Sequence, residues 1–196
     1  MRIFVAGATG VIGIRLVRLL SEAGHVVAGM TRSRESTGML QDAGAEPVVC
    51  DVFDADELAA VVTKFGPDVV YHQLTDLPDK SDELSAYRER NNRIRVDGTR
   101  NLLKAAAGAR VIAQSISWEI PASSAVTATF EHMVIESGGV VIRYGQLWGP
   151  GTYYETEPPR PPRIHVDDAA RLSVPVLAAP AGLTIVADDR AIGVPA

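Results

Sequence analysis

The sequence predicts a doubly wound α/β domain with a parallel sheet (Rossmann-like), and three observations carry that prediction. Apolar runs bounded by turn residues alternate with helical stretches along the chain. The first three of these runs are rich in β-branched residues and almost continuous in hydrophobicity, as strands covered on both faces are. The opening run, Ile3-Phe4-Val5-Ala6, leads straight into Gly7-Ala8-Thr9-Gly10-Val11-Ile12-Gly13 and then into a helical pattern carried by Ile12, Leu16, Val17 and Leu20.

Strands are expected at 3–6, 25–30, 47–50, 68–72, 110–113, 140–143 and 183–186, seven in the dinucleotide-binding order. Helices are expected at 11–23, 34–43, 55–64, 82–106, 124–137 and 167–177. In the long 82–106 segment, Leu84, Tyr87, Ile94, Gly98 and Leu102 make one apolar stripe. Gly98 there costs about 1 kcal/mol against alanine, so it marks a close packing contact. The run Pro158-Pro159-Arg160-Pro161-Pro162 is an extended loop. At 196 residues, with no internal repeat, the chain is read as one domain over 1–196, with substrate-side elements within 144–196.

Bulk properties narrow the function. A net charge of −5 argues against nucleic acid as a partner. Arg88, Arg90, Arg93 and Arg95 are interleaved with Glu89 and Asp97, which reads as a solvated helix face. No apolar run approaches the ~18 residues of a membrane span, and the N-terminal run is cut at Gly7, unlike a signal-peptide core. The single cysteine, Cys50, allows no internal disulfide; it suits a cytoplasmic setting and reads as a small buried hydrophobe. No His/Cys/Asp cluster has metal-ligand spacing, so no metal is expected.

The glycine turn is the strongest pointer to chemistry. Glycine is needed where the backbone takes positive φ and where a pyrophosphate approaches with no Cβ in the way. The amides and dipole of the first helical turn then hold phosphate oxygens. This assigns Gly7, Thr9, Gly10, Val11, Ile12 and Gly13 to a nicotinamide dinucleotide. The second strand runs into Thr31-Arg32-Ser33 with no acid at its end, a pattern that suits the 2′-phosphate of NADP over the bare ribose of NAD. An arginine turn capping the next helix would look the same. Asp51 either accepts from the adenine amino group, with Val52 on the ring, or caps the helix near Asp54.

With these pieces placed, the chain resembles the short-chain dehydrogenase/reductase superfamily, in its extended epimerase/dehydratase branch. The likeness lies in Gly7–Gly13, in Asp51-Val52, in Asp68–Leu74 and in the GTxNLL-like Asp97–Leu103. It continues through Val141–Gly151, with its GPG turn, and Ile164–Ala170. The resemblance implies that Gln73, Leu74 and Ser115 lie along the nicotinamide side. It also implies a homodimer through the 82–106 helix.

Two departures stand out. The family's chemistry runs on a Tyr-x-x-x-Lys dyad; counting back from Glu131 puts Ser123 at the tyrosine and Thr127 at the lysine, and no Tyr or Lys lies between Ala113 and His132. Only 13 residues separate Gly151 from His165, so the substrate half is trimmed. Replacements for the lost phenol are sought in Ser117, placed after the fifth strand, and Tyr144, placed after the sixth. Tyr153 and Tyr154 sit on a loop that could cover the site. His72 reads as a buried structural histidine and His132 as no partner for Glu131. His165 reads as structural beside Asp167, the expected N-cap of the last helix. Two function classes follow: an atypical NAD(P)-dependent oxidoreductase or epimerase on an unidentified sugar-like or small carbonyl or alcohol substrate, or a catalytically silent NAD(P)-binding sensor or scaffold.

Overall fold

Alternate side chains of the first strand, β1 (Arg2–Ala6), are buried on opposite faces: Ile3 and Val5 join one apolar cluster, Phe4 and Ala6 another. A strand with this pattern must be covered by helices on both sides. The computed structural model, which describes residues 1–188 and 190–193, supplies that cover. On the Ile3/Val5 face lie α1 (Val11–Glu22), α2 (Thr37–Asp42) and α7 (Val166–Ser173). On the Phe4/Ala6 face lie α3 (Ala55–Phe65), α5 (Thr99–Ala106) and α6 (Ser124–Glu136).

The remaining strands are β2 (Val26–Thr31), β3 (Glu46–Val49), β4 (Val69–His72), β5 (Arg110–Ile116), β6 (Val140–Tyr144), β7 (Gln146–Trp148), β8 (Arg163–His165), β9 (Gly182–Ala187) and β10 (Arg190–Gly193). The main sheet runs β10-β9-β6-β5-β4-β1-β2-β3, all parallel except β10, which is antiparallel to β9. The seven parallel strands are those expected, in the dinucleotide-binding order. Because β1 pairs with both β2 and β4, the chain reverses its direction of growth there, and a crevice opens at the carboxyl ends of β1 and β4.

Three features differ from the sequence reading. The 82–106 segment is not one helix: a 3₁₀ turn at Ser81–Glu83 is followed by α4 (Arg88–Arg93), a π turn (Ile94–Gly98) and α5. None of the α4 residues, Arg-Glu-Arg-Asn-Asn-Arg, is buried. Leu84, assigned to the stripe, is exposed, while Ile94 and Leu102 are buried. A Cβ on Gly98 would meet Val52 Cγ1 at 3.4 Å, an ordinary contact and not an exclusion. The second difference is the small parallel pair β7-β8, two three-residue strands on either side of the proline-rich run. The third is the cap of α7: His165, not Asp167, stands at the N-cap, its Nδ1 accepting from the Asp167 amide at 3.3 Å. Asp167 instead reaches α1, where Arg15 Nε donates to its carboxylate at 2.6 Å.

Candidate functional site

The site begins where β1 ends. Gly7 has φ +83°, and a Cβ there would sit 2.6 Å from the Gln73 carbonyl oxygen, at the end of β4. Glycine is therefore required twice over at this crossing. Gly13, two residues into α1, would push a Cβ to 2.1 Å from the Gly7 carbonyl oxygen, so it sets how closely helix and loop approach. Gly10 is different. Its φ of −70° suits any residue, and the one neighbour a Cβ would meet within 4 Å is the Gly7 carbonyl oxygen, at 3.4 Å. Nothing within the protein demands glycine at this exposed position; a group approaching from outside would. The N-cap of α1 makes no side-chain hydrogen bond and its first turn holds no acid, so its positive end is left for a ligand.

A cavity of about 180 Å³ opens over this loop. Gly7, Thr9 and Gly10 form its floor, Thr31 and Arg32 one end, and Asp51, Val52, Gln73 and Leu74 its sides. The structure thus brings together nine of the residues singled out in the sequence. Val11, Ile12 and Gly13 form the first turn of α1 beneath it, with the Ile12 side chain in the core. Four further lining residues were not anticipated: Met30, Phe53, Thr75 and Ile94. Ile94 was legible only as a helix-stripe residue, and Thr75 follows β4 in a segment with no local pattern.

At the end of β2, the exposed Arg32 makes no salt bridge among the described residues. Thr31 Oγ1 accepts from the Ser33 amide at 3.2 Å. The Ser33 hydroxyl donates to Glu35 at 2.5 Å and holds that carboxyl below its ordinary value; Ser33 does not line the cavity. Asp51 accepts from the Phe53 amide at 2.9 Å, while Asp54 caps α3 through the Glu57 amide at 3.0 Å. The capping role weighed for Asp51 therefore belongs to Asp54. The Gln73 side-chain amide is buried with no hydrogen-bond partner among the described residues, beside the cavity.

His72 is a buried structural residue. Its Nδ1 accepts from the Leu74 amide at 3.3 Å, which leaves Nε2 to donate to Thr99 Oγ1 at 2.9 Å. Burial, and secondarily Arg95, depress its pKa from 6.5 to about 4. Between these values the unfolded chain binds a proton that folded His72 refuses, so stability present above pH 6.5 is lost as pH falls toward 4. The loss amounts to roughly 3 kcal/mol. Urea titrations from pH 7 to 4 should show this slope in the wild type and lose most of it in His72→Gln.

Past β5 the polar groups form a second cluster. Glu131, buried on α6, accepts from Arg143 Nε at 2.9 Å and Nη2 at 2.5 Å, and from the Ser115 hydroxyl at 2.5 Å. Ser115 is therefore engaged with α6 and does not line the glycine-loop cavity. His132 turns away from Glu131 and pairs with Glu136 at 3.0 Å on the exposed side of the helix. Ser117 lines a second cavity, about 330 Å³, and its hydroxyl oxygen is buried with no partner among the described residues. Ser123 is the buried N-cap of α6 and Thr127 stands one turn further on, lining the second cavity.

Tyr144, expected near the nicotinamide end, has its ring in the core and its hydroxyl 2.5 Å from Ser173 Oγ on α7, beside the side chain of Gln73, which lines the glycine-loop cavity. Burial pushes its pKa up to about 12, and it lines neither cavity. Tyr144 is the last residue of β6, not a residue beyond it. Tyr153 joins its loop to the segment after β4, donating to the Pro78 carbonyl at 2.5 Å. His165 packs edge-on against Trp148, with ring centroids 4.5 Å apart. Among the described residues no group of three or more His, Cys, Asp or Glu could hold a metal ion, and no helix is long and apolar enough to cross a membrane.

Known proteins are similar to this chain. The chain is 36% identical over 187 residues to a 3-diazoavenalumate denitrifying reductase from a Streptomyces species, a match covering 79% of this chain and 59% of that protein's length. A 3-beta-hydroxysteroid dehydrogenase of Mycolicibacterium neoaurum is 30% identical over 112 residues, 56% of this chain and 30% of that one. Among solved structures, the Thermus thermophilus UDP-glucose 4-epimerase in complex with NAD superposes with a TM-score of 0.79. That match has 20% identity and covers 97% of this chain and 78% of that one; it shows the common fold. Residues 3–134 match the model of the NAD dependent epimerase/dehydratase family, and the chain belongs to that family.

Proposed function

We propose that the glycine-loop cavity takes a nicotinamide dinucleotide, and that the chain acts as an NAD(P)-dependent oxidoreductase or epimerase on a small or sugar-like carbonyl or alcohol. The observation that carries this reading is Gly10: it faces the cavity, adopts a conformation open to any residue, and has room for a Cβ on the protein side. Its bareness serves a ligand that comes close to the backbone. The reductase, dehydrogenase and epimerase among the similar proteins support the same class of chemistry.

When bound, the cofactor supplies or accepts a hydride at its nicotinamide ring. The chain's own residues bind and orient. The first-turn amides of Val11, Ile12 and Gly13, with Thr9, hold the pyrophosphate. Asp51 and Val52 meet the adenine, and Gln73 and Leu74 line the cavity on the β4 side. Ser117 offers its hydroxyl to a substrate oxygen; because that hydroxyl is buried and unsatisfied, a ligand partner gains it a hydrogen bond at little desolvation cost. This unsatisfied group turns the reading toward turnover and away from a silent sensor. Tyr144, engaged in the core, lines neither cavity. A cytoplasmic setting, resting on the lone buried Cys50, and a homodimer through α4 and α5 complete the reading.

The preferred form is NADP, with Arg32 on the 2′-phosphate and Thr31 and Ser33 beside it. The Arg32 guanidinium, which makes no salt bridge among the described residues, lines the cavity and supports this choice; Glu35 beside Ser33 works against it. Arg32→Ala should weaken NADP binding about tenfold or more, the worth of a charge-assisted phosphate contact, and leave NAD within about twofold. Calorimetric titration of both nucleotides into both proteins checks this. Equal losses for NAD and NADP would remove Arg32 from the 2′ position.

A further inference from the structure

Gln73 lines the glycine-loop cavity yet is only 5% exposed, and neither its Nε2 nor its Oε1 completes a hydrogen bond with the described residues. A buried amide with both ends unpaired is costly to keep, so its partner is to be sought outside the chain. Its main chain is clamped on both sides. The Gln73 amide donates to the Ala6 carbonyl at 2.8 Å, and Gln114 Nε2 donates to the Gln73 carbonyl at 3.1 Å. The side chain therefore springs from a fixed point, and the Tyr144 hydroxyl stands beside it.

Protons behind Gln73 run in one direction. Ser173 Oγ donates to the Ala169 carbonyl at 2.6 Å, a separation two oxygens tolerate only with a proton between them. Ser173 has no second proton to give, so Tyr144 donates its own to Ser173 Oγ at 2.5 Å. The Tyr144 oxygen is left able only to accept. Burial raises the Tyr144 pKa and Gln73 acts against that rise, the effect of a group that offers an N–H to the phenol oxygen. Of the two ends of the Gln73 amide, Nε2 can use such a neighbour and Oε1 cannot.

We propose that Gln73 keeps Nε2 toward Tyr144 and presents Oε1 to the cavity, where it accepts a hydrogen bond from a sugar hydroxyl of the bound dinucleotide. The sheet order selects which sugar. Arg32 and Asp51 follow β2 and β3 on one side of β1, while Gln73 follows β4 on the other, with the nicotinamide half. The missing Cβ of Gly7, which would come within 2.6 Å of the Gln73 carbonyl oxygen, sets Gln73 directly against the turn that holds the phosphates, one sugar away. An acceptor-only group at this point would be turned away, and a hydroxyl is taken. Tyr144 and Ser173 touch no ligand; they are positioning residues that act through Gln73. The proposal rests on the cofactor reading above and adds a contact made by one half of the cofactor alone.

Calorimetric titration tests it by comparing each dinucleotide with its adenosine half: NADP with ADP carrying the 2′-phosphate, and NAD with ADP. Gln73→Met should bind the dinucleotide about tenfold more weakly and the adenosine half within about twofold of the wild type. Its urea midpoint without ligand should equal or exceed that of the wild type, because an apolar chain of similar length replaces an unpaired amide. Tyr144→Phe should weaken the dinucleotide about threefold or more, and should add no loss beyond about twofold in a Gln73→Met background. Lost core packing alone would not give that coupling. Should Tyr144→Phe melt too low to titrate, Ser173→Ala takes its place: it frees the Tyr144 proton to turn on Gln73 Oε1 and should weaken the dinucleotide by a similar factor. Equal losses for the dinucleotide and its half, full affinity in Gln73→Met, or a Tyr144→Phe loss undiminished in the double variant overturns the proposal. No heat from any of the four ligands in the wild type sinks the cofactor reading itself, so the two failures are distinct.

Discussion

Gly13→Ala is expected to lose about 3 kcal/mol of stability or more, the largest loss from adding one methyl group anywhere in the loop. The added Cβ would lie 2.1 Å from the Gly7 carbonyl oxygen and 3.0 Å from two backbone atoms of Ala8. These are main-chain atoms of a loop itself held by the Ala8 amide on the Met30 carbonyl, at 3.1 Å, and no flexible side chain can swing aside. Overpacking costs about 1–3 kcal/mol where side chains can adjust, so the upper end or beyond applies here. Against a typical total of about 5–15 kcal/mol, that moves a urea midpoint decisively. Gly38, exposed in α2 with nothing within 4 Å of a Cβ, is the control: alanine there should be neutral or stabilising by up to about 1 kcal/mol. Equal midpoints for the two variants would contradict the packing described at the loop.

Arg143→Met is the second large effect. It would leave the buried carboxylate of Glu131 with the Ser115 hydroxyl as its remaining partner. Breaking a buried pair costs about 3–5 kcal/mol, because a charge stays behind without compensation. Arg143 is itself 37% exposed, so the loss comes from stranding Glu131 and not from desolvating the guanidinium. Arg143→Met combined with Glu131→Leu should therefore recover much of the loss, while Arg171→Met, which breaks the exposed pair with Asp168, should cost no more than about 1 kcal/mol. Chemical denaturation of the three variants checks this. A single Arg143 variant as mild as Arg171→Met would refute the account of the cluster.

How much of this was legible beforehand follows from the range of the forces involved. The parallel strands and their order were readable because a doubly covered strand writes its burial into consecutive residues, as in Val69–His72. The glycine loop was readable because backbone sterics are local. The break in the 82–106 segment was not: Arg90 closes onto Asp76 at 3.0 Å, a contact between residues 14 apart in sequence that propensity does not encode. The contact of Tyr144 with Ser173 was not readable, because only tertiary packing on α7 decides which face its ring joins. Likewise Glu35 engages Ser33 from the next turn, although the strand end itself carries no acid. Arg95 sat in an arginine-rich run that reads as a solvated face. Its reach to Thr127, 32 residues away, depends on how α6 packs against the π turn.

The central claim is that the bare backbone at Gly10 receives a dinucleotide. Calorimetry with NADP and NAD on the wild type and Gly10→Ala, alongside urea midpoints for both, tests it most directly. The account predicts saturable binding to the wild type, an affinity loss of about tenfold or more in the variant, and unchanged midpoints, since the new methyl would meet the Gly7 oxygen at an ordinary 3.4 Å. No heat with either nucleotide, or a Gly10→Ala variant that binds as tightly as the wild type, would contradict it.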